Sequence, residues 1–133
     1  MTLNQISIFL ENRPGQLAEI TEELTEAEIN IFALNIAEAS EYGLIRIIVD
    51  DTDKAMSVLQ ENGFLATVSK VTSVGVSDKP GGLDAVAKII SAADINIEYM
   101  YSMIRQKDGM AYMIFKTADP EALEKALAAK GVF

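Results

Sequence analysis

The sequence predicts an α+β protein made of two βαββαβ repeats, each an antiparallel sheet carrying its helices on one face. Three observations lead there. The chain matches itself at an offset of 66 residues; each copy alternates between apolar periods of 2 and about 3.6; and half of the 133 residues are hydrophobic while 23% are charged, a globular composition.

The offset lays Asn12-Arg13-Pro14-Gly15-Gln16-Leu17 on Asp78-Lys79-Pro80-Gly81-Gly82-Leu83, Ile29-Asn30-Ile31 on Ile95-Asn96-Ile97, and Gly43 on Gly109. Ten of the 46 pairs from Gln5/Val71 to Asp50/Lys116 are identical, without a gap. A match this long and ordered marks a tandem duplication with its seam near Lys70-Val71, giving a first domain over 1–70 and a second over 71–133.

Within the first copy, Gln5 to Glu11 alternates with Ile6, Ile8 and Leu10 on one side, the signature of a half-buried strand. Asn12 to Gly15 is a turn, and Pro14 fits it because a first helical turn has no intrahelical use for that N–H. Leu17, Ile20, Leu24 and Ala27 then recur at helical spacing, with Glu19, Glu22, Glu23 and Glu26 on the other side. Ile29 to Ala39 and Leu44 to Val49 read as the second and third strands, joined across Ser40-Glu41-Tyr42-Gly43. Asp53 is placed to cap a second helix carrying Ala55, Met56 and Leu59, which stops at Asn62-Gly63; Leu65 to Lys70 is the fourth strand.

In the second copy Leu83, Val86, Ala87 and Ile90 form the first helix stripe, and Asp119-Pro120-Glu121 starts the other helix, with Leu123, Ala126 and Leu127 inside it. Lys130-Gly131 closes that helix and leaves Val132 and Phe133. The second copy therefore lacks its last strand, from truncation or because an edge is borrowed from elsewhere, and an open edge invites a further chain. The βαββαβ order implies a ferredoxin-like sheet in each copy. A unit of about 66 residues buries only about 60% of its unfolded surface, so the halves are expected to lean on each other.

Charge and composition exclude several functions. Eleven Lys and Arg face twenty Asp and Glu, a net charge of −9, which leaves no positive footprint for nucleic acid or an anionic membrane. Without Cys there is no disulfide, thiol nucleophile or zinc-thiolate site, and without His the commonest general base and metal ligand is absent; neither metal nor cofactor is expected. The first residues carry no basic and apolar leader pattern, and no window approaches a membrane span, so a cytoplasmic protein is expected.

The informative feature is the strand–turn–helix from Leu10 to Leu17, with Asn30 following. The turn points the N–H groups of Gly15, Gln16 and Leu17 from a helix N-terminus, where unpaired donors and the macrodipole favour a carboxylate. Gly15 permits close backbone approach and Pro14 stiffens the turn. Asn30, expected close to that turn, both donates and accepts. An amino acid presents one carboxylate and one ammonium, and this constellation complements both. The same residues also serve as ordinary turn punctuation, and spacing alone leaves both readings open.

On the segment Leu10-Glu11-Asn12-Arg13-Pro14-Gly15-Gln16-Leu17, the Ile29-Asn30-Ile31 run and Gly43, the sequence resembles the ACT domain family, over nearly all of both halves. The resemblance is to free-standing tandem ACT proteins without a catalytic domain, and it implies binding of an amino acid where ACT domains meet and regulation of amino-acid metabolism. In the serine-sensing regulatory domain of phosphoglycerate dehydrogenase, residues matching Asn12 and Asn30 contact the effector at a domain interface. A His stands there two positions before the first Asn, where this chain has Leu10, a more apolar wall. The second half holds Val76, Asp78 and Asn96 at these places. The flanking Glu11, Arg13, Ile31, Lys79, Gly81, Gly82, Leu83 and Ile97 complete the candidate ligand-binding set implied by the resemblance.

Other features have plainer readings. The Glu19, Glu22, Glu23, Glu26 stripe is a solvated helix face. Net charges of −8 over 1–70 and −1 over 71–133 either orient a partner or keep the chain soluble. Asp50-Asp51-Thr52-Asp53 caps a helix rather than holding a hard cation. The segment from Tyr99 to Phe115 holds Met100, Met103, Met110 and Met113, four of the six methionines, and suits an interface, a pocket wall or core. Arg46 emerges from its strand to solvent or an interface. The expected function is a non-enzymatic amino-acid sensor, a homodimer through sheet edges or faces; a docking module without a ligand and a cofactor-free enzyme are the alternatives.

Overall fold

The computed structural model describes residues 1–11, 13–38 and 42–132, without the side chains of Glu38, Arg105 and Gln106. In chain order the elements are β1 (Thr2–Glu11), α1 (Gln16–Glu26), β2 (Ile31–Glu38), β3 (Tyr42–Val49), α2 (Thr52–Glu61), β4 (Leu65–Ser77), α3 (Gly82–Ala92), β5 (Tyr99–Lys107), β6 (Met110–Lys116) and α4 (Pro120–Ala128). The chain divides into two compact units, one of Asn4–Ser69 and one of Lys70–Phe133 together with Met1–Leu3.

In the first unit β1 pairs antiparallel with β3 from Ile6↔Ile47 to Glu11↔Tyr42, and β3 pairs with β2 from Val49↔Ile31 to Gly43↔Glu38. Ile6, Ile8, Leu10, Ile45 and Ile47 share the face that α1 and α2 cover with Ile20, Leu24, Ala55 and Leu59, in one buried cluster. Alternation on the strands and helical spacing on the helices thus meet in one core. The α1 stripe is shifted by one residue from the sequence expectation. Gln16, Ile20 and Leu24 are its buried positions, whereas Leu17 is 38% exposed. Gln16 tolerates burial because its amide donates to Glu19 Oε2 at 2.8 Å.

Helix α2 is capped by Asp51, whose carboxylate accepts from the Lys54 N–H at 3.1 Å, and not by Asp53, which lies inside the first turn. An extended backbone at position 51 supplies the cap geometry. The expected end of the second strand at Ala39 and the joining Ser40 and Glu41 lie outside the described residues.

In the second unit β6 pairs antiparallel with β4 and β5, with an irregularity in β5 between Ser102 and Gln106. Val74, Val76 and Phe115 pack with Val86, Ile90, Leu123 and Leu127. Ala87 and Leu83, expected in the α3 stripe, are exposed. Asp119 caps α4 by accepting from the Ala122 N–H at 3.2 Å, with Pro120 as first helical residue.

Strand β4 runs unbroken from Leu65 to Ser77, through the position expected for the seam. The place beside β4 in the second unit is taken by Met1–Leu3. Ser73 N–H donates to the Met1 carbonyl at 2.8 Å, the Met1 amino group donates to the Ser73 carbonyl at 2.9 Å, and the Thr2 hydroxyl donates to Glu124 Oε1 at 2.7 Å. That hydroxyl, first among several contacts, holds the Glu124 carboxyl below its ordinary pKa. Among the described residues no helix is long and apolar enough to cross a membrane.

Candidate functional site

Both turn–helix junctions share one backbone solution. Gly15 has φ +89° and ψ −9°, Gly81 has φ +90° and ψ −8°, and each is the N-cap of the following helix. That left-handed conformation suits glycine and leaves no side chain over the helix start. Neither α1 nor α3 has a side-chain cap among the described residues, while α2 and α4 are each capped by an aspartate. An anion at these starts would meet the first N–H groups of α1 and, in α3, those that follow Gly82, whose own N–H already donates to the Lys79 carbonyl.

At the first junction Arg13 N–H donates to the Glu11 carbonyl at 2.9 Å, and its guanidinium spans Glu11 Oε2 at 3.3 Å and Glu19 Oε1 at 3.4 Å. These contacts are exposed, so they are weak and displaceable. Leu10 is buried and Leu17, in the first turn of α1, is partly exposed; Asn12 lies outside the described residues. At the second junction Asp78 N–H donates to the Gly109 carbonyl and Gly82 N–H to the Lys79 carbonyl, each at 3.0 Å. Val76 is buried, and Leu83 is 43% exposed at the same place as Leu17. At both junctions a turn of polar main-chain bonds is thus followed by an exposed leucine in the first helical turn.

Gly82 has a different role. A Cβ there would stand 1.9 Å from the Ser77 carbonyl oxygen, so this glycine lets α3 start against the end of β4. The Gly-Gly doublet at 81–82, where the first copy has Gly-Gln, was the signal in the sequence for that close approach.

The structure does not bring the asparagines to the turns of their own repeats. The first turn lies at the Tyr42 end of β3, since Glu11 pairs with Tyr42. Asn30 lies at the other end, where its N–H donates to Asp50 Oδ1 and its carbonyl accepts from the Asp50 N–H, both at 3.1 Å. An eight-residue strand separates them, roughly 25 Å at 3.3 Å per residue. The reason is topological: α1 carries the chain back across the sheet before β2 begins. Asn96 is remote from its turn in the same way. It lines an open cleft of about 210 Å³ with Asp94, Ile95, Glu98, Ala118, Asp119 and Ala122, at the Lys116 end of β6, whereas Asp78 sits at the Gly109 end. Ile31 and Ile97 pack against the cores of their units.

Among the described residues no group of three or more Asp and Glu is gathered to hold a metal ion. Asp51 takes the capping role expected of that acidic run by accepting from Lys54 N–H, whereas Asp50 accepts from Asn30 N–H and caps no helix. Arg46 is half-buried and donates to Asn35 Oδ1 at 3.2 Å.

Comparison with known proteins fits this architecture. A family model describing an ACT domain pair matches residues 1–131. A protein of Bacteroides thetaiotaomicron with a known crystal structure is 37% identical, with a TM-score of 0.92 over 99% of this chain and 90% of that one. The ligand-free regulatory subunit of aspartate kinase from Thermus thermophilus shares the fold at 20% identity and TM-score 0.67, over 95% of this chain and 90% of its own. So does E. coli aspartokinase III in complex with lysine and aspartate, at 14% identity and TM-score 0.56, over 99% of this chain and 31% of that one. No curated protein matches. With the duplicated junctions and the two-unit βαββαβ fold, the family match over nearly the whole length shows that this chain belongs to the ACT domain pair family.

Proposed function

We propose that the chain is a non-catalytic cytoplasmic sensor that binds an amino acid at its turn–helix junctions and thereby regulates an enzyme of amino-acid metabolism. The observation that carries this is the contrast between helix starts. Those of α1 and α3 are glycine-capped and carry no side-chain cap among the described residues, while those of α2 and α4 are filled by Asp51 and Asp119. A carboxylate suits the N–H groups of such a start, and Leu17 or Leu83 supplies apolar contact for a side chain. Support comes from the kinds of protein that share the fold, an aspartate kinase regulatory subunit and an aspartokinase crystallised with lysine and aspartate. Because Asn30 and Asn96 lie far from the turns of their own repeats, an asparagine that closes on the ligand must come from a different ACT domain.

A thermal-shift screen against the twenty amino acids, followed by calorimetry, tests the reading. One amino acid, or a related few, should raise Tm; ligand at 100 times Kd adds about 2.7 kcal/mol. Replacing Asn12 or Asp78 by Ala should then weaken binding about 10- to 150-fold, the equivalent of roughly 1.5–3 kcal/mol for a bond to a charged group. A flat screen at millimolar concentrations, or affinity unchanged in both variants, refutes the assignment.

A further inference from the structure

The sequence holds one Asn-Gly step, Asn62-Gly63, and one Asp-Gly step, Asp108-Gly109. At such steps a chain can rewrite its own backbone: the glycine nitrogen attacks the side-chain carbonyl carbon of the residue before it and closes a five-membered succinimide ring. In a free chain the asparagine reacts faster, because a neutral amide is a better target for nitrogen than an ionised carboxylate. All four residues are exposed, so exposure does not separate the two sites. Hydrogen bonding does. Asn62 is the C-cap of α2, and its side-chain amide donates to the Val58 carbonyl at 2.8 Å. The Gly63 N–H that would attack donates to the Gln60 carbonyl at 3.1 Å, and the Phe64 N–H to the Leu59 carbonyl at 3.0 Å. Phe64 in turn packs against the core of its unit. Ring closure at Asn62 therefore has to dismantle the helix end.

Asp108 and Gly109 form the two-residue turn between β5 and β6, with φ +54° and +71° and Lys107 opposite Met110 as the closing pair. Among the described residues no hydrogen bond uses the Gly109 N–H, and a Cβ built on Gly109 meets nothing within 4 Å, so the nitrogen is free and unobstructed. Two pairs, Gln106↔Ala111 and Lys107↔Met110, tie this tip, and the irregularity from Ser102 to Gln106 separates it from the rest of the ladder. A hairpin end held in this way opens locally at low cost, which supplies the rotation that brings nitrogen to carboxyl carbon.

We propose that Asp108-Gly109, and not Asn62-Gly63, is the site at which the folded chain forms isoaspartate. The Gly109 nitrogen bonds to Cγ of the protonated Asp108 carboxyl, and the amide proton leaves with the carboxyl hydroxyl as water. A water molecule then opens the ring at either carbonyl, returning aspartate or leaving isoaspartate, whose main chain runs through the side chain and is one carbon longer. A two-residue turn matched to its strands does not accommodate that extra atom. The Gly109 carbonyl, which accepts from the Asp78 N–H at 3.0 Å, is displaced, and the turn before α3 loses this tether. The first copy has Tyr42 before Gly43, so the modification sets the second junction apart from the first. The inference is independent of the amino-acid reading.

Incubation of the full chain in warm neutral buffer for several weeks tests it, followed by peptide mapping with electron-transfer fragmentation, which tells isoaspartate from aspartate at equal mass. Isoaspartate should accumulate at position 108 while Asn62 keeps its amide. In guanidinium chloride the order should reverse, with Asn62 deamidating first. Asp108→Glu keeps the charge but cannot close a five-membered ring, and should lose the signal. In the aged, folded protein the hydrogen-exchange protection of Asp78 N–H should fall about five-fold, the worth of one neutral hydrogen bond. An Asp108 that stays unmodified, Asn62 deamidating ahead of it in the folded chain, or an Asp78 N–H equally protected in modified and fresh protein overturns the proposal.

Discussion

Replacing Gly82 by alanine distinguishes the two reasons a glycine can stand at this junction. The Cβ would lie 1.9 Å from the Ser77 carbonyl oxygen and 2.8 Å from its carbon. Carbon–oxygen contacts normally sit at roughly 3.3–3.6 Å, so the start of α3 has to retreat from β4 by about 1.5 Å. Overpacking typically costs about 1–3 kcal/mol when a side chain yields; here the obstacle is backbone, so the upper end, about 3 kcal/mol, is expected. Val86 and Ile90 move with the helix and lose contacts to Val74 and Phe115. With a urea slope of about 2 kcal/mol/M, the midpoint should fall by about 1.5 M at unchanged slope. Urea titration followed by far-ultraviolet circular dichroism measures this. A control is Gly75→Ala, whose Cβ meets the ends of Met110 and Tyr112 at 3.3 Å, side chains able to shift, with a cost expected below about 1 kcal/mol. A midpoint for Gly82→Ala within about 0.3 M of wild type refutes the packing account and returns this glycine to a role in ligand approach.

Thr72 and Thr117 bury hydroxyls that have no hydrogen-bond partner among the described residues, so Thr→Val at either position should raise Tm by about 2–5 °C, read by calorimetry, as an unpaired polar group is exchanged for a methyl of similar shape. Asp51→Ala and Asp119→Ala each remove a helix cap and should cost about 0.5–2 kcal/mol in denaturant titration, whereas Asp53→Ala, inside the first turn, should cost less. The lowered pKa of Glu124 gives a contribution that is full above the ordinary carboxylate value and lost as pH falls through the lowered one. Acidification should therefore lower the protection factor of Ser73 N–H, which holds Met1, once the slower intrinsic exchange at low pH is divided out, and Thr2→Val should move the Glu124 carboxyl pKa upward in an NMR titration.

Local rules made much of this legible. Asp119-Pro120-Glu121 announces α4 in three letters, and the Ile6, Ile8, Leu10 alternation places β1 in the core as observed. The 66-residue repeat predicted two equivalent turns, and the torsions of Gly15 and Gly81 agree within a degree. Structure departs from local pattern where two choices are locally equal. Gln16 and Leu17 are neighbours at the start of α1, and hydrophobicity favoured Leu17 for burial; the helix phase set by Ile20 and Leu24 buries Gln16 instead, and Glu19 satisfies its amide. Asp51 and Asp53 both read as caps, and only backbone conformation separates them. Asn30 and the turn belong to one strand–helix–strand unit, which suggests proximity, yet a helix between strands returns the chain to the far end of the sheet, so sequence proximity opposes spatial proximity here. The bond from Ser73 to Met1 spans 72 positions and leaves no local trace at all.

The place of Met1–Leu3 beside Ser73 also bears on how this chain can be taken apart and recombined. A cut at residue 70 follows the duplication, but it separates one unit from the three residues that line its β4. An isolated 70–133 fragment would present bare backbone donors and acceptors at Ser73, and would tend to recruit a stray strand in their place. Exchanging halves between related proteins would carry the wrong N-terminal residues to that position. The unit of inheritance and the unit of folding differ here by three residues at the start of the chain, and a chimera that respects the second must graft Met1–Leu3 along with 70–133.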